Sequence, residues 1–236
     1  MMQGIQFIVS GNWGHFKRPE TNNNPLSHDL ITKTALIGMI GAVLGKERDE
    51  MKPLFPQLSE DLLYGVALLN PVKKVSWGFS SRTAFEPWQS GAPKYFEFLK
   101  NPKFKIILAL KGDCSERLFS DFYRMIVSSD TFYTPVLGWH NCPAEIEFIS
   151  SGRISELKEG SFETTGFVQA SPIHKINLLN VPFRIGFDKL PTHQNNDFWN
   201  QPQYYKEVMY PEAESSLSAE GKYYEYIYDN SKWWLI

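Results

Sequence analysis

Apolar and polar positions alternate with period two in four stretches of the first 150 residues. Ile5, Phe7 and Val9 share one face of Gly4–Ser10. A pleated strand puts residues i and i+2 on one side, so this segment is predicted to be a strand. Val75, Trp77 and Phe79 alternate with Lys74, Ser76 and Gly78 and predict a second. Phe104, Ile106, Leu108 and Leu110 alternate with Lys105, Ile107, Ala109 and Lys111 and predict a third, and Ala144, Ile146 and Phe148 alternate with Glu145 and Glu147 and predict a fourth. Two helices fall between them. The first runs from Thr32, a capping residue, to about Gly45 and is apolar nearly all round, the mark of a buried helix. Gly38, Gly41 and Gly45 share one face of it, where missing Cβ atoms would let the helix approach a sheet. In the second, Leu118, Phe119, Phe122, Met125 and Ile126 repeat at helical spacing behind Asp113 and Glu116, which are spaced like a capping box.

The order β-α-β-β-α-β predicts an α+β chain whose residues 1–150 form a ferredoxin-like or RRM-like domain. Between its second and third strands lies an insertion, Ser80–Pro102, with Arg82, Phe85, Trp88, Gly91, Pro93, Lys94 and Tyr95. It is longer than a hairpin turn needs, and insertions of this kind are commonly functional. Residues 151–236 read as a β-rich extension: Phe162–Ala170, Phe183–Phe187 and Tyr223–Tyr228 are strand-like, Pro191–Pro202 is a loop, and Asp229-Asn230 is a turn before Lys232–Ile236.

Composition narrows the class. Of 236 residues, 42% are hydrophobic and 21% charged, which excludes a disordered or collagenous chain. The longest near-apolar run, Ala35–Gly45, is 11 residues, too short to span a bilayer. The Met-Met-Gln-Gly start lacks the basic-then-apolar pattern of a signal peptide, and the expected location is the cytoplasm. Cys114 and Cys142 form no CxxC and suggest free thiols. The net charge of −2 hides an asymmetry: residues 1–111 carry 14 basic and 9 acidic side chains, residues 112–236 carry 10 and 17. A basic half beside an acidic half suits a polyanion on one side and a protein neighbour on the other, although uneven solvated surface gives the same count.

Few residues carry chemistry. The loop Gly11–Ser27 mixes Trp13, His15, Lys17 and Arg18; Lys94, Lys100, Lys103, Lys105 and Lys111 follow further on. Cations offer phosphate contacts and aromatic rings offer stacking faces for unpaired bases. A plain connecting loop and a lysine-protected sheet edge are the competing readings. His15, His28, His140, His174 and His193 show no HxH or HExxH spacing, so no metal site and no cofactor is expected. The glycines of the first helix fit neither a dinucleotide fingerprint nor a P-loop. Glu145 and Glu147, on alternating strand positions, read as a polar face rather than an acid–base pair.

Three segments together resemble a known family: Phe7–Pro19 (FIVSGNWGHFKRP), Thr34–Gly45 (TALIGMIGAVLG) and Tyr133–Ala144 (YTPVLGWHNCPA). They are similar to the CRISPR-associated RAMP superfamily, and more narrowly to its fifth Cas family in the type I-B-like form. The resemblance implies a Cascade subunit that holds the 5′ handle of the guide RNA and caps the backbone filament. Its partners would be that RNA, the backbone and large subunits, and target DNA only through the complex. It also implies that Ser80–Pro102 is a thumb reaching the neighbouring backbone subunit. The RNA-contacting residues expected on this basis are Trp13, His15, Lys17, Arg18, Arg82, Trp88, Lys94 and Lys105. Some relatives, of type I-C, cut the guide precursor with a Tyr, Lys and His set; here only the reversed His174-Lys175 pair occurs, so no catalysis is expected. The alternative is a metal-independent endoribonuclease using His15, His140 or His174 as base.

Overall fold

A computed structural model describes residues 1–21, 23–81, 91–169, 172–176, 181–193 and 204–236. In chain order its first elements are β1 (Met2–Ser10), β2 (Trp13–Gly14), α1 (Lys33–Val43), α2 (Arg48–Asp61), β3 (Leu62–Leu68), β4 (Lys74–Ser81), β5 (Ala92–Lys100), β6 (Lys103–Leu110), α3 (Glu116–Val127) and β7 (Glu145–Ile154). They are followed by β8 (Lys158–Thr164), β9 (Val168–Gln169), β10 (His174–Ile176), β11 (Ile185–His193), β12 (Tyr204–Pro211), β13 (Leu217–Tyr226) and β14 (Ser231–Trp233).

The main sheet runs β7-β1-β6-β3, antiparallel throughout, with Phe7 opposite Ile106 on one side and Phe148 on the other. Numbered within the β-α-β-β-α-β unit this is 4-1-3-2, the ferredoxin-like order. Ile5, Phe7, Val9, Phe104, Ile106 and Leu108 point to the helix side, in one core with Leu36, Ile37 and Ile40 of α1 and Phe119, Phe122 and Ile126 of α3. Phe7 meets Phe122 edge-on, ring centroids 5.7 Å apart. Each such fully buried side chain contributes roughly 1.5–3 kcal/mol.

The second strand of the unit is Leu62–Leu68, not Val75–Phe79. The reason is burial. LLYGVAL is covered on both faces and follows α2 without a loop, so it shows no alternation. The alternating segment instead belongs to a hairpin, β4–β5, in a separate sheet of order β2-β5-β4. The insertion between the unit's second and third strands therefore runs from residue 69 to residue 102, and residues 82–90, with Arg82, Phe85 and Trp88, lie outside the described residues.

Thr32 caps α1 as expected, its hydroxyl accepting from the Ala35 amide at 3.2 Å. The glycines of α1 serve a different neighbour from the one expected. A Cβ on Gly41 would sit 2.7 Å from Met51 Sδ, so the close approach is to α2 and not to the sheet. Gly45, at φ +68°, ends the helix against Phe132. The capping box belongs to α2, where Glu47 and Glu50 exchange bonds; Ser115 at the start of α3 instead donates its hydroxyl to Asp61 Oδ2 at 2.6 Å.

Residues beyond 150 close the fold. β13 lies next to β7 and also pairs with β8, β10 and β14, while β9, β11 and β12 form a third sheet. Phe167, Val168, Leu190 and Val208 join the helix-side core. On the opposite face of the main sheet Tyr226, Trp233 and Leu235 cover Ala67, Ile107, Ala109 and Ile154. Ile236 exchanges both of its backbone hydrogen bonds with Tyr64, at 3.0 Å each. The sheet face that RRM domains use to stack bases is thus sealed by this chain's own residues.

Candidate nucleic-acid interface

The hairpin presents an aromatic surface. Register pairs Trp77 with Phe96, Val75 with Phe98 and Phe79 with Lys94, so all six project from one face. β2 extends this sheet, with Trp13 opposite Lys100. Trp13 packs on Trp77 at 4.4 Å, Phe96 stacks on Trp139 at 5.1 Å with planes 9° apart, and Phe98 stacks on Trp139 at 5.3 Å. Phe98 and Leu99 are buried at the hairpin base, whereas Trp77 and Phe79 remain 40% and 39% exposed nearer the tip. This base is packed on the body rather than standing clear of it.

Trp139 is set in place by its turn. The His15 amide bonds the Leu137 carbonyl at 2.9 Å, and the Leu137 amide bonds the Cys142 carbonyl at 2.7 Å. Gly138 has φ +82°, and a Cβ there would lie 2.2 Å from the His15 carbonyl oxygen, so only glycine permits this approach. Burial pushes the Cys142 thiol beneath the turn up to about 11, which leaves it protonated and unreactive.

Between this turn, the Trp13–Pro19 segment and α1 lies a groove of about 600 Å³. Its walls are Phe96, Trp139, His15 and Lys17; its floor is the small-residue face of α1, Ala35, Gly38 and Ala42, with the hydroxyls of Thr32 and Thr34 at one end. Lys17 is exposed, and Lys94 and Lys100 share the aromatic face of β5. None of these three has an ion-pair partner among the described residues. Unpaired cations beside half-exposed rings and a small-residue floor suit a single-stranded polyanion with unstacked bases.

The expected site residues divide. Trp13, His15, Lys17 and Lys94 lie around the groove and hairpin. His15 is buried, its Nδ1 2.7 Å from the Glu97 carbonyl oxygen and its ring among Phe96, Phe98 and Trp139. Burial holds its imidazole below the ordinary value, against the raising effect of that bond and of Glu97's charge. It serves as packing more than as a cation. Arg18 points the other way, donating to the Ser27 carbonyl and pairing with Asp188 at 3.4 Å. Lys105 is not part of this surface: it stands on the sealed face of the sheet, 5.9 Å over Trp233 and 3.7 Å from Asp229. Strand alternation puts it opposite the helix-side residues Phe104 and Ile106. Arg82 and Trp88 lie outside the described residues.

Phe96, Phe98 and Trp139 were missed as site residues. Phe96 and Phe98 alternate with Glu97 in the insertion, and Trp139 lies in the Tyr133–Ala144 segment that resembles the family; its place against the hairpin depends on a turn bonded back to His15, which alternation does not show. Of the three candidate bases, His15 and His140 flank Trp139 at 6.1 Å and 5.5 Å. His174 is buried elsewhere, both ring nitrogens engaged by the carbonyls of Gln169 and Lys222. A larger cavity of about 930 Å³ between β8, β10 and β13 balances Glu163 and Glu220 against Lys175 and Lys232, which gives a polyanion no net attraction. Among the described residues no helix is long and apolar enough to cross a membrane, and no His, Cys, Asp and Glu group could hold a metal ion.

Known proteins bear on this arrangement. No curated protein matches the sequence. Among solved structures, a CRISPR protein from Archaeoglobus fulgidus is similar over 98% of both chains, with 16% identity and a TM-score of 0.61. A chain of a CRISPR RNA-guided surveillance complex is similar over 89% of this chain and 90% of its own, with 13% identity and a TM-score of 0.50. At such identities the likeness is one of fold. The family model described as "CRISPR-associated protein (Cas_Cas5)" matches residues 4–210, which take in most of β1 and the elements from β2 through nearly all of β12, and leave out β13 and β14. The chain belongs to the Cas5 family of CRISPR-associated RAMP proteins.

Proposed function

We propose that this chain is a non-catalytic, RNA-binding subunit of a CRISPR effector complex, and that it holds the 5′ handle of the guide RNA along the groove and the hairpin. The observation that carries this reading is the coincidence, on one surface, of Lys17, Lys94 and Lys100, without ion-pair partners among the described residues, and the partly exposed rings of Trp77, Phe79 and Trp139. Phosphates would take the lysines, and splayed bases would stack on the rings. The sealed back of the sheet supports the same side. Likeness in fold to a chain of an RNA-guided surveillance complex supports membership of such an assembly. The hairpin would reach a neighbouring backbone subunit, and target DNA would be read by pairing with the guide rather than by this chain.

Catalysis would need a base and a cation at one 2′-OH. His15 is enclosed and His174 has both nitrogens engaged, which leaves His140, exposed beside Trp139, to carry any nuclease reading. A gel assay with labelled CRISPR-repeat RNA and a chelator tests the proposal. The expected result is a shift without cleavage, weakened in Lys17→Ala/Lys94→Ala/Lys100→Ala with a salt slope shallower by about 2, at roughly 0.7 per single-strand phosphate contact. Absence of a shift overturns the proposal. Product formed in chelator and lost in His140→Ala would establish the nuclease instead.

A further inference from the structure

The two parts that carry the proposed RNA surface, the 11–29 loop and the hairpin, are fastened from outside the ferredoxin-like unit. Asp188 stands on β11 of the third sheet, its side chain fully buried. Its Oδ1 accepts from His28 Nδ1 at 2.8 Å, from the Lys189 amide at 2.8 Å and from Arg18 at 3.4 Å. Its Oδ2 accepts from the Asp29 amide at 2.8 Å. Burial alone would raise this carboxyl; the bond and charge of His28, the Asp29 amide and the Arg18 charge outweigh it and hold the group below the usual range. A carboxylate persists out of water only when its lone pairs are filled, and here three of the four donors come from the loop.

The connection continues to the hairpin. On β12, next to β11, Tyr210 donates its hydroxyl to Asp29 Oδ2. Asp29 Oδ1 pairs with Lys74 Nζ, at the start of β4, at 2.6 Å. Lys74 also reaches Glu97 Oε1 of β5 at 3.0 Å, and the Ser27 amide donates to the same Glu97 oxygen at 3.1 Å. Two strands of the third sheet are thus joined to both strands of the hairpin by a run of hydrogen bonds and ion pairs, and Lys74 also donates to the Ser27 carbonyl at 2.8 Å. Among the described residues the loop's ladder pairing is limited to β2 and a single bridge between Lys17 and Ser27; backbone bonds to Leu137 and from the Glu97 amide hold its middle, and the Asp188 network fastens its 27–29 end.

We propose that Asp188 is a positioning residue for guide binding: through Arg18, His28 and the Asp29 amide it fixes the loop, and through Asp29 and Lys74 it fixes the hairpin base, so that both halves of the RNA surface are held in register from the third sheet. Asp188 touches no RNA in this account, and Arg18 acts through Asp188 rather than on a phosphate. The inference rests on the RNA-binding reading above, and its test has an arm that does not.

Asp188→Asn keeps the shape and removes the charge; Tyr210→Phe deletes only the hydroxyl on Asp29 and serves if the first variant does not fold. The first arm is hydrogen exchange of the free full-length protein. Residues 17–29, 74–81 and 92–100 are expected to exchange at least fivefold faster, with β1, β6 and β7 unchanged. Unchanged hairpin exchange, or uniformly faster exchange everywhere, overturns the proposal. The second arm is labelled CRISPR-repeat RNA binding with the active fraction measured by stoichiometric titration. Asp188→Asn is expected to weaken affinity about tenfold with active fraction and salt slope unchanged, since no phosphate contact is lost. Asp188→Asn/Lys74→Met is expected to be no weaker than the worse single variant, because residues acting through one path are not additive. Multiplying effects, or a shallower slope in Asp188→Asn, would make Asp188 something other than a positioning residue. If the parent protein binds no RNA, the functional reading falls while the exchange arm still decides whether the third sheet holds the hairpin.

Discussion

Two aromatic clusters in this molecule have similar composition and opposite fates. At the groove, Trp13, Trp77, Phe79, Phe96 and Trp139 pack on one another and on the buried Phe98 yet stay partly open. On the back of the main sheet, Tyr226 and Trp233 are closed over Ile107 and Ala109. The lysines differ in the same sense. Lys17, Lys94 and Lys100 have no ion-pair partner among the described residues, whereas Lys105 lies over Trp233 with Asp229, and Lys232 lies over Tyr223. Aromatic and basic content alone therefore does not mark a binding surface; what separates the clusters is whether the chain has already covered the rings and paired the charges.

The contrast can be broken first at the sealed cluster. Trp233→Ala empties a site walled by Gly65 and Gly166, where any Cβ would meet the indole within 3.1 Å. The expected loss is about 3–5 kcal/mol in denaturant unfolding, with the RNA affinity of the remaining folded protein unchanged. A comparable change in affinity would mean that this face takes part in binding.

The next effect concerns a cation beneath the groove. Lys33 of α1 is buried with its amine 2.7 Å from the Ser59 carbonyl, and burial, helped by Lys111, lowers it from 10.5 to about 8. Below pH 8 the folded chain carries an enclosed charge; between about 8 and 10.5 the folded protein releases a proton that the unfolded chain keeps, so stability rises with pH through that window. The full change is about 3 kcal/mol. Lys33→Met is expected to remove that rise relative to the parent and to gain about 1–2 kcal/mol at pH 7, less than the full change because the amine's hydrogen bond to the Ser59 carbonyl is lost with it. Denaturant melts of both proteins from pH 7 to 10.5 check the sign.

At the open cluster, Trp139→Ala is expected to cost about 1–3 kcal/mol of RNA affinity through lost stacking, read by fluorescence anisotropy. A variant that melts earlier but binds normally would turn this ring into packing alone. The smallest effect belongs to Lys105→Ala. Its partly exposed pair with Asp229 is worth up to about 1 kcal/mol in a thermal melt, and no change in RNA affinity or salt slope is expected.

Much of the fold was legible from alternation. β1 and β7 alternate, and α3 shows its helical stripe, because their apolar residues meet the helix-side core on one face. β6 alternates only where Lys103 and Lys105 flank Phe104; beyond Ile106 it is buried on both faces, with Ile107 and Ala109 in the cluster around Trp233. β3 was hidden for the opposite reason, being apolar on both faces between the helix-side core and Trp233. The Trp13–Arg18 segment was legible as part of the candidate site. What was not legible was which members were already engaged. Arg18 is paired with Asp188 and Lys105 with Asp229, partners far along the chain that only the third sheet and the β13–β14 turn bring near. Residue type gives the chemistry on offer, and long-range pairing decides what remains of it.

RNA is expected to lie on the helix-side groove and the hairpin and not on the back of the sheet. Ultraviolet crosslinking of the full-length protein to CRISPR-repeat RNA, with the adducts located by mass spectrometry, tests it most directly. Crosslinks are expected in residues 12–18, 74–81, 92–100 and 136–140, on Trp77, Phe79, Phe96 or Trp139. Crosslinks concentrated in residues 103–110 or 222–236, on the strands and rings of the sealed face, would contradict it.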